Sequence, residues 1–379
     1  MVHIHILALQ GISMDDIRVG IIGVGLLGNV HLMALQTIAE AGYFDGVDIS
    51  IEAACDTREQ HLAEYKELHG IPRAFTDYRE LLQDGNVNTV FIATPTAYHK
   101  DIFVAAADAG MQVFCEKPLA FSIEDIDEMI AARDRNGTRT QVGHSLRAHP
   151  GFWHVRSLVR DPANREKFGQ LQNVHFRSDQ AKPYTGSGMH PSIWRQDKTL
   201  AHAGTLFEHS IHDFDMLRYW FGEITEVYAK VNYFAGIDQI EDSVSAVFEL
   251  NNGATGVLSA IWHDVQRDAR HIELFWERAF LSMDYSMLNV TGTLKVQGEK
   301  AVKFKQKEMD ENYRQHIGFS DKPPMWVKNY GYEDLLYIAY LVDGVSRAPL
   351  VTDLEQGRRA TEIVEACYRS SRQNQPVNP

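Results

Sequence analysis

A chain of 379 residues has room for two domains with sizeable cores, and 44% hydrophobic with 23% charged residues is a globular rather than a disordered composition. Fifty-one acidic against 37 basic residues give a net charge of −14, which repels a phosphate backbone, and no basic run supplies a compensating face, so nucleic acid is excluded as an expected partner. Cys55, Cys115 and Cys367 are far apart and form no C-x-x-C pair, which excludes a disulfide framework and a zinc ribbon, and no apolar run approaches the ~18 to 20 residues of a membrane span.

The first sixteen residues lack a basic n-region and a small-residue cleavage signature, so they make a poor secretory signal, and a reducing cytoplasm is the expected location. Residues 1 to 13 are read as an extension of unassigned order. The apolar run "IRVGII" (17 to 22) then predicts a strand that enters "GVGLLG" (23 to 28), after which Leu26 to Glu40 carry apolar residues at helical spacing. Gly23, Gly25 and Gly28 match G-x-G-x-x-G. Its first glycine permits the tight turn, its second admits a pyrophosphate against the backbone, and its third allows close helix packing. The helix start at Leu26 and Leu27 offers unpaired N–H groups to phosphate.

"DISIEAAC" (48 to 55) alternates like a strand and ends at Asp56, an acceptor for the ribose hydroxyls of NAD. Asp56 would otherwise cap the helix expected from Thr57, and Arg58 beside it leaves NADP open as a cofactor. Helices at 57 to 69 and 77 to 83, a strand at "NTVFIA", a helix at 98 to 109, a strand at "MQVFC", a helix at 122 to 135 and a strand at "TRTQVG" complete a doubly wound parallel sheet over residues 14 to 143. Ligands bind outside the carboxyl ends of such strands. Five post-strand segments should therefore converge on one crevice: the glycine turn, Asp56, "TPTAYH" with Thr94, Pro95 and His99, "EKP" with Glu116 and Lys117, and "GHSLR" with Arg147. Lys117 at such a strand end would polarise a carbonyl or shuttle a proton, or else simply pair with Glu116. His99 would line the cofactor region or cap a helix.

From residue 144 onward, "LQNVHFRSD", "ITEVYAKVNYF", "DSVSAVFEL", "ATGVLSAIW" and "HIELFWE" read as successive strands of a mainly antiparallel sheet. An exposed sheet face rich in aromatics would favour self-association. A single helix is expected from Thr205 to Phe221. Its spacing sorts "LFEHSIHDFDML" (206 to 217) into an apolar stripe, an outer edge with His209 and Asp213, and a face stacking Glu208, His212 and Asp215. That face admits three readings. Glu208 and His212 would ligate a metal, helped by His190 or His202, although no recognisable spacing ties these together. They would alternatively be a solvated ion-pair face, or a proton-transfer pair. No metal is expected.

At "CEKPLA", after "ATPTAYH" and "GVGLLG", the chain resembles the glucose-fructose oxidoreductase and inositol dehydrogenase (Gfo/Idh/MocA) family. "RAHP" is similar to the family's R-F-x-P element, "WRQD" to its W-R-x-D element, "HAGTLFEHSIHDFD" to its G-G-G-x-L-x-D-x-x-x-H-D-x-D stretch, and "APLVTDLEQGRRATEIVEA" to its C-terminal helix. The resemblance implies an N-terminal Rossmann domain at 14 to 143 and a C-terminal α/β domain at 144 to 379 on a large open sheet. The last helix, near 353 to 372, would pack back on the first domain. It also implies a homodimer or homotetramer, a typically cis bond before Pro118, and His212 as catalytic base with Lys117. Arg147 would lie near the nicotinamide, and Trp194 and Arg195 would form a substrate wall. Glu208 stands where the family carries aspartate, with "HAG" in place of three glycines, which changes the substrate hydroxyl contacted. The implied reaction is NAD(P)-dependent oxidation of a secondary alcohol on a sugar, cyclitol or related polyol. An NAD-recycling lyase or glycosidase and a non-catalytic NAD(P) sensor are the alternatives.

Overall fold

The structure, a computed structural model, describes residues 14–379 apart from 186–191, 266–267, 287–288 and 348. The extension at residues 1 to 13 and His190 therefore lie outside the described residues.

The apolar runs of the N-terminal part are strands β1 (Asp16–Ile22), β2 (Asp48–Cys55), β3 (Arg73–Phe75), β4 (Thr89–Ile92), β5 (Gln112–Cys115) and β6 (Thr140–Val142). Between them run helices α1 (Leu26–Glu40), α2 (Glu59–His69), α3 (Tyr78–Gln83), α4 (His99–Asp108) and α5 (Ile123–Asn136). All six strands are parallel, in the order β3-β2-β1-β4-β5-β6. β4 is buried throughout, as expected of a strand covered by helices on both faces. Local chemistry fixes the helix ends. Ser122 accepts the Asp125 N–H at the start of α5, and Gly137 closes it in the left-handed region at φ 64°. Helix α2 begins two residues later than its sequence suggests, because the Asp56 carboxylate takes the Arg58 N–H. Strand β3 was not anticipated, since three residues carry no readable period.

After helices α6 (Pro150–Arg160) and α7 (Pro162–Phe168) comes β7 (Leu171–Ala181), then the short helices α8 (Lys198–Ala201) and α9 (Thr205–Glu208), and α10 (Ile211–Phe221). Strands β8 (Ile224–Asn232), β9 (Ser243–Leu250), β10 (Thr255–His263), β11 (Ala269–Trp276), β12 (Ala279–Ser286), β13 (Asn289–Val296) and β14 (Val302–Lys303) follow. Helices α11 (Gln306–Ile317), α12 (Lys328–Asp343) and α13 (Leu354–Gln373) end the chain. The eight-stranded sheet runs β14-β13-β12-β11-β7-β10-β9-β8 and is antiparallel except for β7 beside β10. Strict burial alternation in β9 and β10 marks one covered and one open face. The aromatics are split between the two faces: Phe176, Phe248 and Trp262 are buried, while Tyr228, Phe275 and Phe280 lie part-exposed on the open face with Val247, Val257 and Ile261.

Helices α12 and α13 tie the two sheets together. α13 joins α5 through Arg133 with Glu355 and Arg358 with Asp127, and Gly357 lets it approach Leu119 so closely that a Cβ there would stand 2.7 Å from Leu119 Cδ1. At its other end, the Ser370 hydroxyl accepts the Ala229 N–H of β8. α12 lies on α1, where His31 meets Asp334.

The helix expected over 205 to 221 is broken. The chain leaves helical geometry at His209 (φ −123°, ψ −55°), and α10 restarts after Ser210. The expected outer polar edge is absent as well: all residues from Thr205 to Phe221 are buried, because α6, α13 and strands β9 and β10 pack around the segment.

Candidate functional site

A cleft of about 1360 Å³ runs from the glycine turn to α10, lined by residues of both sheets. Its N-terminal half is formed by backbone. Gly23 has φ +93°, and a Cβ there would stand 2.7 Å from the Ala93 carbonyl carbon; a Cβ on Gly28 would stand 2.0 Å from the Gly23 oxygen. Gly25, by contrast, has no atom within 4 Å of its Cβ position. The open side of the turn thus faces the cleft, and the start of α1 carries no side-chain cap and no acidic residue in its first turn. Its unpaired N–H groups suit a pyrophosphate, so the residues present fit NAD. Leu26, Leu27, Thr94 and Pro95 line the same stretch.

Asp56 ends β2 with Oδ2 accepting the Val24 N–H at 3.1 Å, while Arg58 clasps both of its oxygens at 2.9 and 2.8 Å. Burial raises the Asp56 pKa, but Arg58 and the Val24 N–H outweigh it and leave the carboxyl below its ordinary value. An anionic acceptor is therefore held at the sheet end where a ribose would lie.

At the other end, Lys117 follows β5, with a cis bond to Pro118. Its Nζ donates to the Glu208 carbonyl oxygen at 2.9 Å rather than pairing with the Glu116 carboxylate. Burial lowers the Lys117 pKa, helped by Arg195 and Arg270 and opposed by Glu208 and Glu116. His212 lines the cleft from the first turn of α10. Its pKa is pushed well down by burial and by Lys117, His144, Arg270 and His209, so the ring is a neutral base at neutral pH. His212 Nδ1 is sealed from solvent and has no protein partner, which leaves Nε2 as the nitrogen open to the cleft.

The break in the helix redistributes the expected Glu208, His212 and Asp215 face. Glu208 takes Arg195 Nε at 3.1 Å and the Thr96 hydroxyl at 3.0 Å, so its carboxylate bridges the two halves of the cleft instead of orienting His212. Asp215 turns away and receives Arg147 through two bonds of 2.7 and 2.6 Å. Arg147, expected near the nicotinamide, is thereby consumed in a buried pair that also reaches the Pro349 carbonyl and the Gln356 side chain. His99 is likewise a strut rather than a cleft residue, with Nδ1 2.7 Å from the Pro118 carbonyl oxygen and Nε2 2.9 Å from that of Thr94. Trp194 and Arg195 do line the cleft, with the guanidinium 4.7 Å from the indole centre.

Several cleft residues were missed. Arg270 reaches in from β11 and is held by Asp213 at 2.6 Å; His209, anticipated only on an outer edge, meets Ser178 at 3.1 Å. Behind Glu116, fully buried His31 stands 3.1 Å from its Oε1 and 2.9 Å from Asp334 Oδ1. Burial alone would lower the His31 pKa, but Asp334 and Glu116 overcome it and push it to about 10. The one sequence signal was the pair Glu333 and Asp334 inside the apolar run "YEDLLYIAYL", since buried acids need partners. Among the described residues, no group of three or more His, Cys, Asp or Glu is placed to hold a metal, and no helix is long and apolar enough to cross a membrane.

Residues 17–144 match the model of an oxidoreductase family with an NAD-binding Rossmann fold, and residues 154–282 match a GFO/IDH/MocA C-terminal domain. The chain is 32% identical over 278 residues to an uncharacterized oxidoreductase, YrbE, of Bacillus subtilis, covering 72% of this chain and 74% of that one. It is 29% identical over 272 residues to a myo-inositol 2-dehydrogenase of Thermotoga maritima, covering 70% and 75%. A solved levoglucosan dehydrogenase, in complex with NADH and L-sorbose, shares the fold with a TM-score of 0.81 at 20% identity, covering 96% and 99%.

Proposed function

Because the chain belongs to the Gfo/Idh/MocA oxidoreductase family and is an NAD-dependent dehydrogenase, we propose that it interconverts a secondary alcohol and a ketone on a sugar, cyclitol or related polyol. The observation that carries this reading is convergence: Lys117, just after β5, and His212, from helix α10, open into the same cleft as the glycine turn. The relatives named for myo-inositol and levoglucosan act on polyhydroxylated rings, which supports the substrate class.

Bound NAD supplies the hydride acceptor. Gly23, Gly25 and the start of α1 would hold its pyrophosphate, and Asp56 would accept from its adenosine ribose. His212 removes the hydroxyl proton at Nε2, and Lys117 donates to the developing carbonyl oxygen. A depressed His212 pKa keeps that nitrogen free to accept at neutral pH. Arg195, fixed by Glu208, shapes the wall with Trp194 and hydrogen-bonds substrate hydroxyls. Its tie to Glu208 sets apart the glutamate at this position, because the longer side chain spans to Thr96 as well. On the open face of the second sheet, neighbouring Val257 and Val247 with Ile261 form an apolar patch on which the chain self-associates as a homodimer or homotetramer.

A panel of cyclitols, aldoses and ketoses, followed at the reduced-nicotinamide absorbance band, tests the reading. Turnover of at least one member is expected, lost about 10²-fold or more in Lys117→Met and His212→Asn while NAD still binds. Unchanged turnover in both variants would refute the assignment. Activity in purified protein without added NAD would point to a cofactor recycled within each turnover.

A further inference from the structure

Which nitrogen of a histidine base is free to accept is set by the hydrogen bond that the other one makes. For His212 to accept at Nε2 its proton must sit on Nδ1, and that N–H then needs an acceptor. Glu208 is occupied by Arg195 and Thr96, and Asp213, next to His212 in sequence, gives Oδ1 to Arg270 while its buried Oδ2 makes no bond to the ring. Behind the His212 ring stands His144, from the turn after β6. The ring centres are 5.7 Å apart and nearly perpendicular at 84°. His144 is 1% exposed, and neither of its nitrogens has a hydrogen-bonding partner in the protein. Three imidazole nitrogens, two on His144 and Nδ1 of His212, are thus buried and unpaired in one place, where burying even one unpaired polar group is costly. No hydrogen bond joins the two rings directly, and a water reaching both would satisfy their unpaired nitrogens.

We propose that His144 is the positioning partner of His212: a buried water accepts the His212 Nδ1–H and donates to His144, holding the base with its lone pair on Nε2 toward the cleft. The inference rests on His212 being the base. It goes further in placing on a neutral imidazole the orienting role that a carboxylate often has.

The surrounding charges fit this role. His144 Nδ1 lies 3.8 Å from Asp215 Oδ2, which favours a proton on that nitrogen and leaves Nε2 as the acceptor. Asp215 is itself neutralised by Arg147, so it does not draw a second proton onto the ring. Burial, Arg147 after β6 and Lys117 after β5 outweigh Asp215 of α10 and Glu116 and bring the His144 pKa to about 4. The groups facing His212 are Lys117, Arg270 of β11 and His209, all of which disfavour a charged ring. His144 therefore remains an acceptor across the neutral range.

Nitrogen-15 histidine spectra of the substrate-free protein read the tautomer directly, with the His212 signals assigned by their loss in His212→Asn. Wild type is expected in the Nδ1–H form. His144→Phe, which keeps a ring and removes the acceptor, should populate both tautomers and lower kcat about tenfold or more at unchanged KM for NAD, whereas His144→Gln should restore both readouts. A His212 signal that stays in the Nδ1–H form in His144→Phe overturns the proposal. If His144→Phe does not fold, His144→Gln compared with His144→Leu makes the same test. The tautomer is read without substrate, so a wrong substrate class leaves this result intact.

Discussion

Replacing Gly28 with alanine separates the packing role of the glycine turn from its ligand role. A Cβ at Gly28 would stand 2.0 Å from the Gly23 carbonyl oxygen and 3.1 Å from its carbon. The first distance is about 1.3 Å short of the ~3.3 Å at which a carbon meets a carbonyl oxygen comfortably. The neighbour is backbone, so no rotamer relieves the clash, and the start of α1 must move away from β1. Overpacking of this kind costs about 1–3 kcal/mol. For a chain of this size that lowers Tm by about 1–4 °C. The same displacement carries the N–H groups of α1 off the pyrophosphate, so the Kd for NAD should rise at least tenfold, about 1.4 kcal/mol. Gly25→Ala is the matched control. Gly25 lies at φ −76°, open to any residue, with no atom within 4 Å of its Cβ position. Its Tm should stay within about 1 °C of wild type. Its NAD affinity should nevertheless fall, because the methyl group projects where the pyrophosphate approaches. Thermal unfolding without ligand and NAD titration by fluorescence quenching measure both. A Gly28→Ala protein with wild-type Tm and Kd would refute the packing argument, and a Gly25→Ala protein as unstable as Gly28→Ala would refute the assignment of the open side to the ligand.

Three further expectations concern charge. Because burial, Lys117, His144, Arg270 and His209 depress the His212 pKa, the acid limb of kcat/KM should lie below the ordinary histidine value of about 6.5; a limb at or above it contradicts the neutral-base reading. Asp56→Ala removes the acceptor from Val24 and releases Arg58 to a ribose phosphate, so the ratio of kcat/KM for NAD over NADP should fall about tenfold or more, whereas an unchanged ratio would place cofactor choice elsewhere. His31→Leu leaves Asp334 and Glu116 buried without their shared cation and should cost about 3–5 kcal/mol in chemical denaturation near neutral pH. The folded His31 pKa is raised, so its contribution is complete below about pH 6.5 and is lost as pH rises through about 10. The stability gap between wild type and variant should accordingly narrow toward pH 10, and a gap that widens would show that His31 is not held as an imidazolium.

Features that depend on local period and turn chemistry were legible before any tertiary contact was known. Apolar runs ending in polar turns set the parallel sheet and brought Gly23, Asp56, Thr94 and Lys117 to one edge, because strands of a parallel sheet share a direction. Alternation in β9 and β10 likewise marked a one-sided sheet. The pairing of the charged side chains depends instead on long-range packing. Glu208, His212 and Asp215 have one helical spacing in the sequence, yet the break at His209 and the packing around it send Glu208 to Arg195, 13 residues back, and Asp215 to Arg147, 68 back. His31 and Asp334 are 303 residues apart and meet only because α12 returns across α1. A buried charge is stable only beside its partner, and the partner is chosen by which surfaces come together, a long-range fact that no local pattern encodes.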